Sequence, residues 1–233
     1  MKKFLLLSLF LSALYVRAAV VPVSGTETIA DAVSSAVVGD IIELSEAVTY
    51  VGNVTMDKSL TLRAAEGLES APIIQGKLSI KDGATIRGIV FDGASEVADA
   101  IRIDNTVTGA PVVISGCTVR NYTNRFVYVS LSGKIESLTI DDCMFIGADN
   151  STTNKAIYAS SAHTQVETLS VTNSTFLNFN TGSNYFFRIN CGEELVLMPV
   201  VLIDHCTFYN CYDRRGVYLY NAGRSTIKNC ISA

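Results

Sequence analysis

From residue 86 onward one six-residue phrase keeps returning: an aliphatic residue, two polar or small residues, a Cys or small apolar residue, a spacer, and most often an aromatic or aliphatic residue. It reads Ile86-Arg-Gly-Ile89-Val-Phe91, Ile114-Ser-Gly-Cys117-Thr-Val119, Ile140-Asp-Asp-Cys143-Met-Phe145, Val171-Thr-Asn-Ser174-Thr-Phe176, Ile203-Asp-His-Cys206-Thr-Phe208 and Ile227-Lys-Asn-Cys230-Ile-Ser232. Successive copies are 28, 26, 31, 32 and 24 residues apart. Between them runs a second series, Ile101-Arg-Ile103, Val127-Tyr-Val129, Ile157-Tyr-Ala159, Phe187-Arg-Ile189 and Val217-Tyr-Leu219, spaced 26, 30, 30 and 30. Two registers with one period mean that a single supersecondary unit is stacked on itself.

Each unit is too short for two helices and their turns, and its segments alternate with period two and are rich in Val, Ile, Thr, Phe and Tyr, so they read as strands. A propeller blade needs about 40 residues, whereas three short strands and their turns fit the observed period. The expectation is an all-β solenoid, a parallel β-helix of about seven coils. Its equivalent residues would form columns about 4.8 Å apart. Ile114, Cys117, Val119 and their equivalents are expected to point inward. The third position, filled by Gly88, Gly116, Asp142, Asn173, His205 and Asn229, is expected to bend, because these residue types tolerate left-handed backbone angles. Cys117, Cys143, Cys206 and Cys230 then form a buried column, either as free thiols or as inter-coil disulfides such as Cys117 to Cys143. Upstream, Thr28 to Val37 has helical spacing and is expected to cover the N-terminal edge of the stack.

The N-terminus reads differently. Lys2 and Lys3 precede an almost wholly apolar run, Phe4 to Val16, followed by Ala18 and Ala19. This is the pattern of a cleaved secretory signal over residues 1–19, and the run is too short to span a bilayer. Residues 20–233 are left as one β-helix domain, secreted, periplasmic or at the cell surface. The sequence stops inside a copy of the repeat, so a missing C-terminal part, or a partner covering that edge, is expected. With 18 basic and 22 acidic residues there is no basic excess to attract nucleic acid. The two histidines and the absence of Cys-x-x-Cys spacing give no zinc signature.

The chain resembles the pectate-lyase-like superfamily of single-stranded right-handed parallel β-helices, which includes pectate lyases and chondroitinase-B-like or alginate lyases. The residues that carry the likeness are Ala30-Asp-Ala-Val33, Val38-Gly-Asp-Ile-Ile-Glu-Leu44, Tyr50, Lys58-Ser-Leu-Thr-Leu-Arg63, Ile73-Ile-Gln-Gly76 and Ala84 to Phe91. A Pro common before the Gly-Asp pair is Val38 here, and a Gly common before the Tyr is absent. Val201-Leu-Ile-Asp-His205 is similar to the Val-Trp-Ile-Asp-His phrase of pectate lyases, although by position it is another copy of the repeat. The resemblance implies right-handed coiling and, for lyase members, action on acidic glycans with Ca²⁺ or basic side chains.

With Ile101, Ile103 and their equivalents inward, the column between them reads Arg102, Tyr128, Tyr158, Arg188, Tyr218. Phe126 and Phe186 flank it on one side, and Asp104, Ser130, Ser160, Asn190 and Tyr220 on the other. Aromatic rings cover apolar sugar faces and guanidinium groups pair with uronate or sulfate, so Arg102, Phe126, Tyr128, Tyr158, Phe186, Arg188 and Tyr218 are expected to bind an acidic polysaccharide. The same columns can also stabilise the sheet with no ligand. A uronate lyase must neutralise a carboxylate, remove the α-proton and protonate the leaving oxygen. The resemblance implies Arg188 as base or carboxylate clamp, Tyr158 or Tyr218 as proton donor, Lys155 at the start of the same coil, and Asp213 as a Ca²⁺ ligand. The alternative is a non-catalytic carbohydrate-binding module, or a structural or adhesive surface protein. A hydrolase would need paired carboxylates, and Asp141 and Asp204 lie two coils apart, about 9.6 Å, at bends that favour a turn role.

Overall fold

The computed structural model describes residues 18–104, 110–130, 134–147, 154–161, 165–179, 185–191, 199–211, 216–220 and 222–233, with backbone only at 160, 161, 165 and 191. Its strands form three parallel sheets whose neighbours in space are one coil apart in sequence, the signature of a right-handed parallel β-helix. The nine-stranded sheet contains Val20–Val23, Ile41–Leu44, Leu60–Ala64, Ala84–Arg87, Val112–Ser115, Lys134–Asp141, Gln165–Thr172, Val200–Asp204 and Ser225–Lys228. The eight-stranded sheet runs from Thr49–Val51 to Ile231–Ser232, and the seven-stranded sheet from Val54–Met56 to Val217–Tyr220. Together they make seven complete coils, as the period predicts. Among the described residues, no helix is long and apolar enough to cross a membrane.

The corner between the first two sheets lies inside the recurring phrase. Its third position has φ of 68° at Gly88, 60° at Gly116, 51° at Asp142, 51° at Asn173, 54° at His205 and 53° at Asn229. That left-handed residue turns the strand and lets the residue after it face inward, which is why the phrase skips a beat in its alternation. The inward residue carries a small polar group for a local reason. Cys117, Cys143, Cys206 and Cys230 each aim Sγ at the carbonyl two residues back, at 3.3, 3.2, 3.5 and 3.1 Å, and Ser174 Oγ does the same at 2.7 Å. Each of these carbonyls also accepts the N–H of the left-handed residue one coil earlier, so the thiol or hydroxyl adds a second donor at the corner. Cys117, Cys143, Cys206, Cys211 and Cys230 are free. Burial pushes the Cys206 thiol up to about 11, so it stays protonated at neutral pH.

The next corner uses the same device with Asn121, Asn178 and Asn210 at φ of 58°, 59° and 52°. Stacked amides join its coils, Asn210 Nδ2 donating to Asn178 Oδ1 at 2.9 Å. Inside, Phe145, Phe176 and Phe208 stack with centroids 5.0 and 5.1 Å apart. Such pairs contribute about 0.5–1.5 kcal/mol each beyond their buried area.

The N-terminal edge is covered by the helix Ile29–Ser35, slightly shorter than its sequence pattern. Thr28 caps it by accepting from the Asp31 N–H, and Ile29 and Val33 are buried. At its other end Lys58 Nζ donates to the carbonyls of Val33, Ser34 and Ala36 at 3.1, 3.0 and 2.8 Å. A cation there meets both the orphan carbonyls and the negative end of the helix.

One sequence expectation fails where the chain leaves the second corner. Phe126 and Phe186, placed on the outward face by simple alternation, are 0% and 2% exposed and belong to the core. The strand enters the seven-stranded sheet from a turn, so two consecutive residues face inward, Phe126 with Val127 and Phe186 with Phe187. Ala100, Phe126, Ala156 and Phe186 follow one another along this inner corner. Large and small side chains alternate, and the rings reach over to Phe179 at 5.2 and 5.6 Å. Neither phenylalanine can contact a ligand on the outer face.

Candidate functional site

The outer face of the seven-stranded sheet carries the expected column, in register: Thr55, Ser79, Arg102, Tyr128, Tyr158, Arg188 and Tyr218. Three residues before each of the later members stands another outward side chain, giving Asp99, Arg125, Lys155 and Tyr185. Two residues after stand Asp104, Ser130, Asn190 and Tyr220, and the side chain of Ser160 lies outside the described residues. The face divides into two electrostatically distinct halves.

In the earlier coils every guanidinium has a carboxylate. Arg102 Nε donates to Asp104 Oδ1 at 2.7 Å. Arg125 holds Asp99 bidentately, Nε to Oδ1 at 2.7 Å and Nη2 to Oδ2 at 2.8 Å. The Arg125 guanidinium then lies 3.6 Å over the Tyr128 ring, with Arg102 at 5.5 Å from the same ring. Tyr128 is left only 4% exposed. It points outward as expected, yet its own neighbours cover it, so Tyr128 is not a ligand-binding surface.

Arg188, in the later coils, has no such partner among the described residues. Its Nη1 donates to the phenol oxygens of Tyr185 and, at 3.4 Å, Tyr158. Its guanidinium carbon lies 4.5 Å from the Tyr185 ring, 5.7 Å from Tyr218 and 5.8 Å from Tyr158. Its Nε is buried with no hydrogen-bond partner, and among the described residues no carboxylate reaches it. A buried N–H of a charged group left in this state costs on the order of 1–3 kcal/mol, an unusual expense in a folded protein. Tyr185 and Tyr218 stack at 5.6 Å, and Tyr218 and Tyr220 lie parallel within 4° at 6.1 Å. Lys155 Nζ sits 5.8 Å from the Tyr185 ring. The structure therefore brings Lys155, Tyr158, Arg188 and Tyr218 together around Tyr185.

Asp213 lies outside the described residues. The residues that are described do not suit Ca²⁺ on this face. Asp99 and Asp104 are engaged by arginines, and no group of three or more His, Cys, Asp or Glu is arranged to hold an ion among the described residues. Asp141 and Asp204 are corner residues: Asp141 Oδ1 accepts from the Thr172 hydroxyl and the Asn173 amide, and Asp204 from Asn229 and Lys228. The Val201 to His205 phrase is accordingly a corner of the repeat, with His205 at the left-handed position and its Nδ1 2.8 Å from Asp204.

A family profile described as a domain of unknown function, DUF4957, matches residues 45–179, more than half of the chain. The chain belongs to this family. No curated protein matches it. Among solved structures it is similar to one described as "Structure of PL6 family alginate lyase AlyGC", with 15% identity and a TM-score of 0.49, covering 93% of this chain and 40% of that one. The DUF4957 chain thus spans less than half the length of that structure. The matched segment includes the self-paired half of the face and ends before Tyr185, Arg188, Tyr218 and Tyr220. Sequence reasoning missed Tyr185 because it precedes the recurring triplet. The signal was its place in the stack, next after Arg125 and Lys155.

Proposed function

We propose that the outer face of the seven-stranded sheet binds an acidic polysaccharide, with Arg188 as its anion contact. The observation that supports this is the single half-buried guanidinium with ring faces around it, an orphan Nε and no carboxylate among the described residues. A uronate carboxylate supplies both the missing acceptor and the missing charge, and a charge-assisted hydrogen bond of this kind contributes about 1.5–3 kcal/mol. The tyrosines offer apolar surface to the sugar ring beside it. In this reading the run Phe4 to Val16 is a cleaved leader, and the face works outside the cytoplasm.

A lyase reading is favoured by one contact. The Tyr158 hydroxyl lies 3.4 Å from Arg188 Nη1, where it can protonate a leaving oxygen while Arg188 neutralises the adjacent carboxylate. Lys155, on the same strand as Tyr158, is then the base. Both readings are tested together by incubating the chain without its leader with uronate-containing polysaccharides, with and without Ca²⁺. Bound fraction and the absorbance of unsaturated products are followed in parallel. Binding without new absorbance is the expected result for a binding face. New absorbance that Tyr158→Phe abolishes establishes the lyase, and absence of both signals overturns the glycan reading.

A further inference from the structure

Arg188 and Asn190 are paired in register with Tyr218 and Tyr220 of the next coil. The four outward side chains make a tile about 5 Å across the strands and about 7 Å along them. On one strand stand a guanidinium and a carboxamide, and on the other two parallel rings, of which Tyr220 is 46% exposed. The Asn190 carboxamide makes no hydrogen bond among the described residues and keeps two donors and an acceptor for a ligand.

Nη1 of Arg188 is taken by the Tyr158 and Tyr185 phenols, and Nε is buried without an acceptor, so the Nε/Nη2 edge is unfilled but covered at Nε. That is the edge by which Arg125, two coils earlier, grips Asp99 through two parallel hydrogen bonds while lying over the Tyr128 ring. The chain therefore contains, filled by its own Asp99, the arrangement that Arg188 leaves incomplete. A planar carboxylate fits this edge with both oxygens once the side chain turns to uncover Nε.

Resting on the reading of this face as an acidic-glycan site, we infer that Arg188, Asn190, Tyr218 and Tyr220 form a subsite for one hexuronate unit. Its carboxylate lies on the Nε/Nη2 edge of Arg188, its hydroxyls meet Asn190, and its apolar ring face lies on Tyr218 and Tyr220. Nearer the N-terminus the face is closed by its own ion pairs, so a longer chain continues toward the later coils.

The test is a calorimetric titration of the chain without its leader with trisaccharides of galacturonate, mannuronate and guluronate. The one that binds is compared with its carboxyl-reduced, neutral counterpart. The acid form is expected to bind at least about 10-fold tighter than the neutral one, and Arg188→Gln is expected to remove that difference. Tyr220→Ala is expected to weaken both forms by about 5-fold and leave their ratio unchanged. Tyr220→Leu, which keeps apolar bulk, should fall between, and unaltered thermal unfolding of both variants excludes misfolding as the cause. If Arg188→Gln loses binding while Tyr220→Ala and Asn190→Ala change nothing, the anion site stands and the four-residue subsite is overturned. If Arg188→Gln changes nothing, or no trisaccharide binds, the underlying reading falls as well.

Discussion

Arg102-Ile103-Asp104 and Arg188-Ile189-Asn190 occupy the same place on the same sheet, three coils apart. In the first, the arginine Nε donates to the aspartate at 2.7 Å; in the second, Asn stands where Asp stood and the Nε is buried without a partner. Side-chain size hardly differs between Asp and Asn, so the backbone and the stack are indifferent to the exchange. What changes is one negative charge. The earlier half of the face is electrostatically complete and covers its own tyrosine, while the later half sets among tyrosine rings a cation with no carboxylate partner among the described residues. A repeat fold can thus switch a stretch of surface from structural to available by a change that leaves its packing intact.

The comparison breaks most visibly in stability. Asp99→Ala leaves Arg125 largely buried over Tyr128 without its bidentate partner, and is expected to lower the unfolding free energy by about 2 kcal/mol, measured by urea denaturation. Arg188→Gln gives up two phenol hydrogen bonds and three ring contacts but also removes the buried N–H that lacks an acceptor, so the two effects offset and the same measurement should move by no more than about 1 kcal/mol in either direction. Equal losses for the two variants would mean that Arg188 is held by a carboxylate after all.

The next effect closes the open half. Asn190→Asp restores at Arg188 the spacing of Arg102 and Asp104, and the new carboxylate competes with any ligand for the guanidinium. Binding of an acidic oligosaccharide is expected to fall by about 10-fold or more, while stability rises by less than about 1 kcal/mol. An affinity unchanged by Asn190→Asp would mean that the ligand does not use Arg188.

The stacking was legible because it rests on column chemistry that a single sequence displays. Gly88, Gly116, Asp142, Asn173, His205 and Asn229 are residue types that accept positive φ, and all six have it. The outward column Arg102 to Tyr218 followed from alternation within a strand and held in register. Alternation failed at Phe126 and Phe186, where a corner places two inward residues side by side. The interleaved Ala100 and Ala156 were the available sign that this was an interior column. The division of the face was not legible from residue types alone. Arg102 and Arg188 look equivalent until each is assigned its hydrogen-bond partners, and those depend on Asp104, Asn190 and Tyr185 outside the triplet itself.

The smallest expected effect concerns the mirror case of Arg188, an ion completed by neutral groups. The Thr172 hydroxyl, with the Asn173 amide, holds the Asp141 carboxyl below the usual carboxylate range at the first corner. Because its folded value lies below its unfolded one, the unfolded chain binds the extra proton. The stability this carboxylate contributes is therefore fully present above the unfolded value of about 3.9 and is lost as pH falls through the folded value. Asp141→Asn should be slightly less stable than the parent at neutral pH, and the two unfolding curves should converge as pH falls below that range. Arg188 offers no counterpart in this window, since among the described residues it donates to phenols and not to a carboxylate. In Arg188→Gln the stability difference from the parent should therefore stay flat over the same acid titration. A difference that opened or closed with acid would reveal a carboxylate at Arg188 and remove the contrast between the two halves of the face.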